Sequence, residues 1–146
     1  MIATDILVID ASVAVKWLLN EEDSAPALAL FRLPCKLIAP ALIRVEVLAT
    51  IAKVARRNQL SIADATRQIQ RWHSTLSRRA LFTVEGDKDY QDEVELSLAQ
   101  RHSLYDCVYL ALARKLGVPL ATADKRLADI AHELGIEAFD WRSEPS

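Results

Sequence analysis

Four acids sit inside or at the edge of apolar segments, where a folded domain normally avoids charge. Asp10 closes the run Ile6-Leu7-Val8-Ile9, and Glu46 interrupts the stretch from Leu42 to Leu48. Asp106 opens the run Cys107 to Leu112, and Asp124 follows Leu120-Ala121-Thr122-Ala123. Carboxylates are rarely buried unless something pairs with or coordinates them. If the four converge, their mutual repulsion raises the pKa of at least one, and a divalent cation relieves the strain. A site built from oxygen ligands alone favours Mg²⁺ or Mn²⁺ over zinc. Such an ion activates water and stabilises a leaving oxygen, which is the chemistry of phosphodiester hydrolysis.

Each acid also has a plainer account. Asp10 could cap a helix that begins near Ser12. Ser103-Leu104-Tyr105-Asp106 has the capping-box pattern, in which Asp106 reaches back to the helix start. Asp124 could cap a helix opening at Lys125. Glu46 resists this explanation. A helix running from Pro40 to about Arg57 places it roughly two turns inside, too deep to cap. Its neighbours three and four residues away are Leu42, Ile43, Ala49 and Thr50, none of them cationic. An exposed helix edge or a loose pairing with Arg44 is its remaining ordinary role.

The elements that must position these acids follow from periodicity. Ile6 to Ile9 reads as a short strand covered on both faces, and Lys36 to Ala39, Leu81 to Val84, Pro119 to Thr122 and Glu137 to Phe139 read as further strands. Helices are expected over Ser12 to Asn20, Ser24 to Phe31 and Pro40 to Arg57, with Pro40 in the first turn of the last. Ser61-Ile62-Ala63-Asp64 opens another by a capping box, with Ile62, Ile69, Trp72 and Leu76 as its apolar face. A helix from about Asp87 to Gln100 carries Tyr90, Val94 and Leu98 at four-residue steps. Its crowded N-terminal acids complement the helix dipole and read as a solvated face. Tyr105 to Lys115 is helical and stops at Gly117, and Lys125 to Leu134 is helical and stops at Gly135. Short apolar strands alternating with helices predict an α/β fold with a largely parallel sheet of about five strands. In such sheets sites gather beyond the carboxyl ends of the strands, where Asp10 and Asp124 fall.

Bulk properties narrow the class. The 146 residues suit a single domain spanning 1–146, and 51% hydrophobic against 26% charged residues suits a globular core. A net charge of −2 disfavours a polybasic nucleic-acid binder but leaves room for local basic patches. Cys35 and Cys107 have apolar neighbours and no metal-ligand spacing, so they read as free thiols in a reducing compartment. No signal peptide is evident, and no apolar stretch reaches the length of about 20 residues that a membrane helix needs. A cytoplasmic location is expected.

The residues around the acids carry a family likeness. Val8-Ile9-Asp10-Ala11-Ser12-Val13-Ala14-Val15-Lys16-Trp17 resembles the opening of a PIN domain, particularly of the VapC-type toxins. Ala39-Pro40-Ala41-Leu42-Ile43-Arg44-Val45-Glu46-Val47 is similar to the second acidic motif of that family. Tyr105-Asp106-Cys107-Val108-Tyr109-Leu110-Ala111-Leu112-Ala113 is similar to the third, and Leu120-Ala121-Thr122-Ala123-Asp124-Lys125-Arg126-Leu127 to the fourth. The likeness covers nearly the whole chain in the right order, and no acid is missing.

The resemblance implies a PIN-like three-layer α/β/α sandwich around a parallel sheet. It implies that Asp10, Glu46, Asp106 and Asp124 form an acidic quartet holding one or two Mg²⁺ or Mn²⁺ ions. Asp10 and Asp106 are then assigned as direct ligands, with Glu46 and Asp124 completing the shell or serving a second metal. Ser12 and Thr122 could add hydroxyls to the metal's water shell, or simply cap and bond locally. The implied activity is endoribonuclease cleavage leaving a 5′-phosphate and a 3′-hydroxyl. The implied biology is the toxin of a toxin–antitoxin pair, homodimeric and silenced by a small antitoxin protein.

RNA must still approach an acidic hole. Lys16, Arg44, Lys125 and Arg126 are the first candidates for phosphate contacts, ahead of Arg56, Arg57, Arg78 and Arg79, though each is also an ordinary surface charge. His73, His102 and His132 show no catalytic or ligand spacing. Trp17, Trp72 and Trp141 read as core or interface residues. Two competing functions stay open. One is a PIN-like binding protein without turnover. The other is a phospho-acceptor receiver domain, which needs paired acids after the first strand, whereas Asp10 has no acidic neighbour.

Overall fold

The computed structural model describes residues 4–143. Four strands form one parallel sheet: β1 (Ile6–Ile9), β2 (Lys36–Pro40), β3 (Phe82–Val84) and β4 (Leu120–Ala121). Seven α-helices surround it among the described residues: α1 (Ala11–Leu18), α2 (Ser24–Ala29), α3 (Ile43–Arg56), α4 (Ile62–Ser77), α5 (Gln91–Gln100), α6 (Leu104–Leu116) and α7 (Lys125–Glu133). Leu7, Val8 and Ile9 are all fully buried although successive residues face opposite sides of the sheet. Both faces are therefore covered, and the fold is a three-layer α/β/α arrangement. The α6 helix packs across β1 and β2, with α5 behind it, while α1 packs with α2, α3 and α4.

Strand order is β3-β2-β1-β4. From the central β1 the chain moves outward through β2 and β3, then returns to add β4 on the other side. The direction of winding reverses between β1 and β4, and a crevice opens beyond their carboxyl ends. Val8 lies level with Leu120 and Ile9 with Ala121, and the Asp10 amide donates to the Ala121 carbonyl at 2.9 Å. The register itself thus sets Asp10 beside Thr122.

Several sequence expectations need correction. The fifth strand contracts to a single bridge, Leu120 to Ala138, held by Leu120 N–H to Glu137 C=O (2.9 Å) and Phe139 N–H to Leu120 C=O (2.8 Å). Pro40 ends β2 and does not start a helix. As α3 begins only at Ile43, Glu46 lies in its first turn and not two turns deep. Ser61 does cap α4, accepting from the Asp64 amide at 3.0 Å. Ile62, however, is 81% exposed, and Trp72 supplies the buried anchor of that helix.

The α5 stripe is also corrected. Tyr90 precedes the helix with φ 53°, and Tyr90, Val94 and Leu98 are all exposed. Leu96 faces the core instead, together with Glu93, so the acidic run is not wholly a solvated face.

All three tryptophans are buried, and each indole N–H finds a backbone carbonyl. Trp17 donates to Ala27 (2.9 Å), Trp72 to Arg44 (3.3 Å) and Trp141 to Thr122 (2.9 Å). Arg142 stacks on Trp141, pairs with Asp23 at 2.9 Å and reaches the Ala123 carbonyl at 3.3 Å. Cys35 and Cys107 are free thiols, and no helix among the described residues is long and apolar enough to cross a membrane.

Candidate metal centre

Asp10 stands at the N-cap position of α1 with extended backbone, yet its side chain makes no capping bond. Its carbonyl receives the first helical amides, Val13 (3.0 Å) and Ala14 (3.2 Å). The carboxylate turns into the crevice instead, and the residue is 4% exposed. Its Oδ2 accepts the Ser12 hydroxyl at 2.5 Å and the Thr122 hydroxyl at 2.8 Å. The Ser12 hydroxyl also accepts the Ala123 amide across the crevice (2.9 Å), and the Thr122 hydroxyl accepts the Asp124 amide within its own loop (3.1 Å). Ser12 and Thr122 therefore do more than local capping: they tie the end of β1 to the loop after β4 around one carboxylate oxygen. Burial pushes the Asp10 carboxyl above its ordinary range, the two hydroxyls oppose this, and the nearby Asp106 carboxylate adds to the rise.

Glu46 projects from the first turn of α3 and is half-buried. Its Oε1 accepts the Tyr109 phenol at 2.6 Å. Burial raises the Glu46 carboxyl, the phenol opposes that, and the Asp10 and Asp106 charges raise it further. Tyr109 is fully buried on α6, three residues after Asp106 and hence on the same helix face. Burial and the Glu46 carboxylate push its phenol far above the ordinary range, so it serves as a fixed donor. The Cys107 thiol, beside Asp106 in sequence, is pushed up to about 11, by burial first and by Asp106 second.

Asp106 lies in the first turn of α6, where Ser103 caps by accepting the Asp106 amide at 3.4 Å. The reciprocal arm of the capping box is absent among the described residues. The Asp106 carboxylate lies against His102, with Oδ2 and Nε2 2.7 Å apart. Asp124 is a true N-cap: its Oδ1 accepts the amides of Arg126 (2.9 Å) and Leu127 (3.3 Å). Its plain account is therefore fulfilled, and it still stands in the crevice. Ligand atoms of His102, Asp106 and Asp124 all lie within 4.8 Å of one another.

Asp106 links the four acids: its charge is felt by Asp10 and by Glu46, and a carboxylate oxygen of it lies within 4.8 Å of one of Asp124. Oxygen donors dominate the set, burial raises two of the carboxyls, and no lysine or arginine pairs with any of the four acids among the described residues. A hard divalent cation suits that donor set. Sequence reasoning missed Tyr109 and dismissed His102. His102 stands four residues before Asp106, a spacing that could have pointed to it, whereas Tyr109 meets Glu46 across 63 residues of sequence.

The four cations expected near the site divide. Lys16 is mostly buried, its ammonium held by the Glu22 carbonyl at 2.8 Å and near Glu21 at 4.0 Å. Lys125 pairs with Asp129 at 3.1 Å in the open. Arg44, exposed on α3, donates only to the neutral Thr83 hydroxyl (3.0 Å from Nη2) and has no carboxylate partner among the described residues. Arg126, two residues beyond Asp124, reaches the Arg101 carbonyl at 3.4 Å. Arg56, Arg57, Arg78 and Arg79 are exposed, as are His73 and His132.

Known proteins resemble this chain in sequence and in fold. The profile of the PIN domain family matches residues 7–133. VapC ribonuclease Mb0985 of Mycobacterium bovis is 34% identical over 123 residues, covering 84% of this chain and 89% of that protein. Ribonucleases VapC9 and VapC12 of Mycobacterium tuberculosis match at the same identity and coverage. Among solved structures, PAE2754 from Pyrobaculum aerophilum superposes with a TM-score of 0.59, at 22% identity over 88% of this chain and 85% of that one, a likeness of fold. The chain belongs to the PIN domain family, and its curated likeness is to the VapC type.

Proposed function

We propose that this protein is a Mg²⁺- or Mn²⁺-dependent endoribonuclease and the toxin of a type II toxin–antitoxin pair. What supports this reading is the Asp106 carboxylate beside the sheet's switch point, within 4.8 Å of an Asp124 oxygen and close enough for its charge to act on the buried Asp10 and half-buried Glu46 carboxyls. Membership of the PIN family and likeness to proteins named ribonucleases support the substrate class. Asp10 and Asp106 hold the ion directly, while Glu46 and Asp124 complete the shell or serve a second ion. The bound ion supplies Lewis acidity and charge neutralisation at a scissile phosphodiester.

The chain's own residues prepare that event. Ser12 and Thr122 fix one oxygen of Asp10, so its other oxygen faces the crevice without a free rotor. Tyr109 fixes Glu46 in the same way. Arg44 is the best placed of the four cations to meet the RNA backbone, because Lys16, Lys125 and Arg126 are already engaged by carbonyl or carboxylate oxygens. Cleavage leaves a 5′-phosphate and a 3′-hydroxyl. A cytoplasmic homodimer silenced by a small antitoxin protein completes the reading.

The test is RNA cleavage by purified protein with Mg²⁺ or Mn²⁺, compared with Asp10→Asn and with chelator. Cleavage should fall at least about a hundredfold in the variant, the usual scale for losing one preorganised electrostatic group. Equal cleavage by wild type and Asp10→Asn, or full activity in chelator, sinks the proposal. A catalytically silent binder would hold Mn²⁺ in titration calorimetry and cut nothing.

A further inference from the structure

We infer that His102 is a positioning residue of the metal centre, holding one oxygen of Asp106 so that the other is presented to the ion. The inference rests on the metal-dependent reading above and adds to it a residue outside the acidic quartet.

Three observations carry it. First, the bond is short and sheltered: Nε2 and Oδ2 are 2.7 Å apart, with the two side chains only 10% and 27% exposed. With the carboxylate as acceptor, Nε2 must carry a proton, so the imidazole donates and is not free to ligate through that nitrogen. Oδ2 is the only Asp106 carboxylate oxygen with a hydrogen bond among the described residues, which leaves Oδ1 for a cation. A carboxylate oriented by a partner beyond the ligand shell is a recurrent way to tune a metal site.

Second, the bond displaces an alternative. Asp106 is the fourth residue of a capping box opened by Ser103, and its carboxylate would ordinarily return to the Ser103 amide. Ser103 keeps its half of the box, accepting the Asp106 amide. His102 draws the carboxylate away from the helix start and leaves it within 4.8 Å of Asp124.

Third, the histidine is itself anchored from behind. Its amide donates to the Ser97 carbonyl at 3.2 Å, and its carbonyl accepts the Ser97 hydroxyl at 2.6 Å. Arg101, the residue before it, adopts a left-handed backbone with φ 52°, which costs energy for a side chain other than glycine. The Arg101 carbonyl meets the guanidinium of Arg126, from the helix that Asp124 caps. The α5–α6 turn is thus pinned on both sides of the ring.

The experiment compares wild type, His102→Ala, His102→Gln and Asp106→Asn in the full chain. Mn²⁺ affinity is read by titration calorimetry and the bound-ion EPR signal, with metal-free melting curves as the folding control. Gln presents an N–H near the position of Nε2. We expect His102→Ala to weaken Mn²⁺ binding about 10- to 100-fold, and His102→Gln to stay within about threefold of wild type on the same scale. RNA KM should not move, while kcat follows metal occupancy.

Wild-type affinity in His102→Ala overturns the inference. So does equal weakening in Ala and Gln, which would make the imidazole a direct ligand. Should His102→Ala fail to fold, His102→Asn replaces it: its amide is too short to reach Oδ2, so Gln must bind Mn²⁺ more tightly than Asn, and equal affinities overturn the idea. If wild type and Asp106→Asn bind Mn²⁺ alike, the metal centre itself is wrong. If only Asp106→Asn is weakened, the centre stands and the role of His102 falls.

Discussion

The acidic crevice has two halves that are built differently. Asp10 and Asp124 follow strand ends, and the sheet register that aligns Ile9 with Ala121 brings Asp10 against Thr122, two residues before Asp124. Glu46 and Asp106 stand on helices, in the first turns of α3 and α6, and meet only because α6 packs across the sheet. In the strand-end half, Asp10 is nearly sealed from water and its one bonded oxygen is shared by two hydroxyls. In the helix-borne half, each carboxylate is more open than Asp10, though less so than the exposed Asp124, and is held by one ring, the Tyr109 phenol or the His102 imidazole. The strand-end half has its backbone set by sheet register and the Asp10 carboxylate held by two hydroxyls, whereas each helix-borne carboxylate depends on one ring that a single substitution removes.

Three measurements would break or sharpen this contrast. The largest effect should come from pH, since it engages both halves. The folded-state pKa values of Asp10 and Glu46 lie above the ordinary values of 3.8 and 4.5. The folded chain therefore binds protons more tightly than the unfolded chain between the ordinary and raised values. Stability must fall as pH climbs through that window and remain low above it. Melting of metal-free protein should show this decline, Mg²⁺ should restore the midpoint at neutral pH, and Asp10→Asn should flatten the curve. A metal-free midpoint that rises with pH in that window would contradict the account.

Thr122→Val comes next. It keeps the shape but removes one of two hydroxyls from a buried carboxylate, at a cost of about 1.5–3 kcal/mol at neutral pH for a bond to a charged group. Denaturant unfolding would measure it, and a change below about 0.5 kcal/mol would show that Ser12 alone suffices. Tyr109→Phe should cost less, about 0.5–1.5 kcal/mol, because half-exposed Glu46 can turn to water. Its signature is kinetic: cleavage should weaken more than folding does. If Tyr109→Phe destabilises more than Thr122→Val, the ranking of the two halves is wrong.

Much of the strand-end half was legible in the sequence. Continuous apolar runs such as Ile6–Ile9 announce strands buried on both faces, and the acids that close them fall at the carboxyl edge. The helix-borne half was legible in residue type but not in placement. The expectation of a helix from Pro40 put Glu46 two turns deep, whereas Pro40 completes the β2 ladder and Glu46 sits in the first turn. Its partner Tyr109 is 63 residues away, and no local pattern announces such a contact. His102 failed for another reason: metal-ligand spacing was sought among histidines, while its partner was an aspartate one turn on. The Tyr90-Val94-Leu98 stripe misled because four-residue spacing marks a helix face without saying whether that face turns inward.

The bond from the Trp141 indole to the Thr122 carbonyl has a practical consequence for defining a minimal unit. The family likeness ends at residue 133, and a chain cut there keeps all four acids and every α-helix described above. It would lose the indole that holds the end of β4, the Arg142 guanidinium on the neighbouring Ala123 carbonyl and the Ala138 bridge to Leu120. The loop presenting Thr122 and Asp124 would then be tethered from one side only. A boundary drawn from family resemblance is therefore not the boundary of the mechanical unit that holds the metal centre in shape.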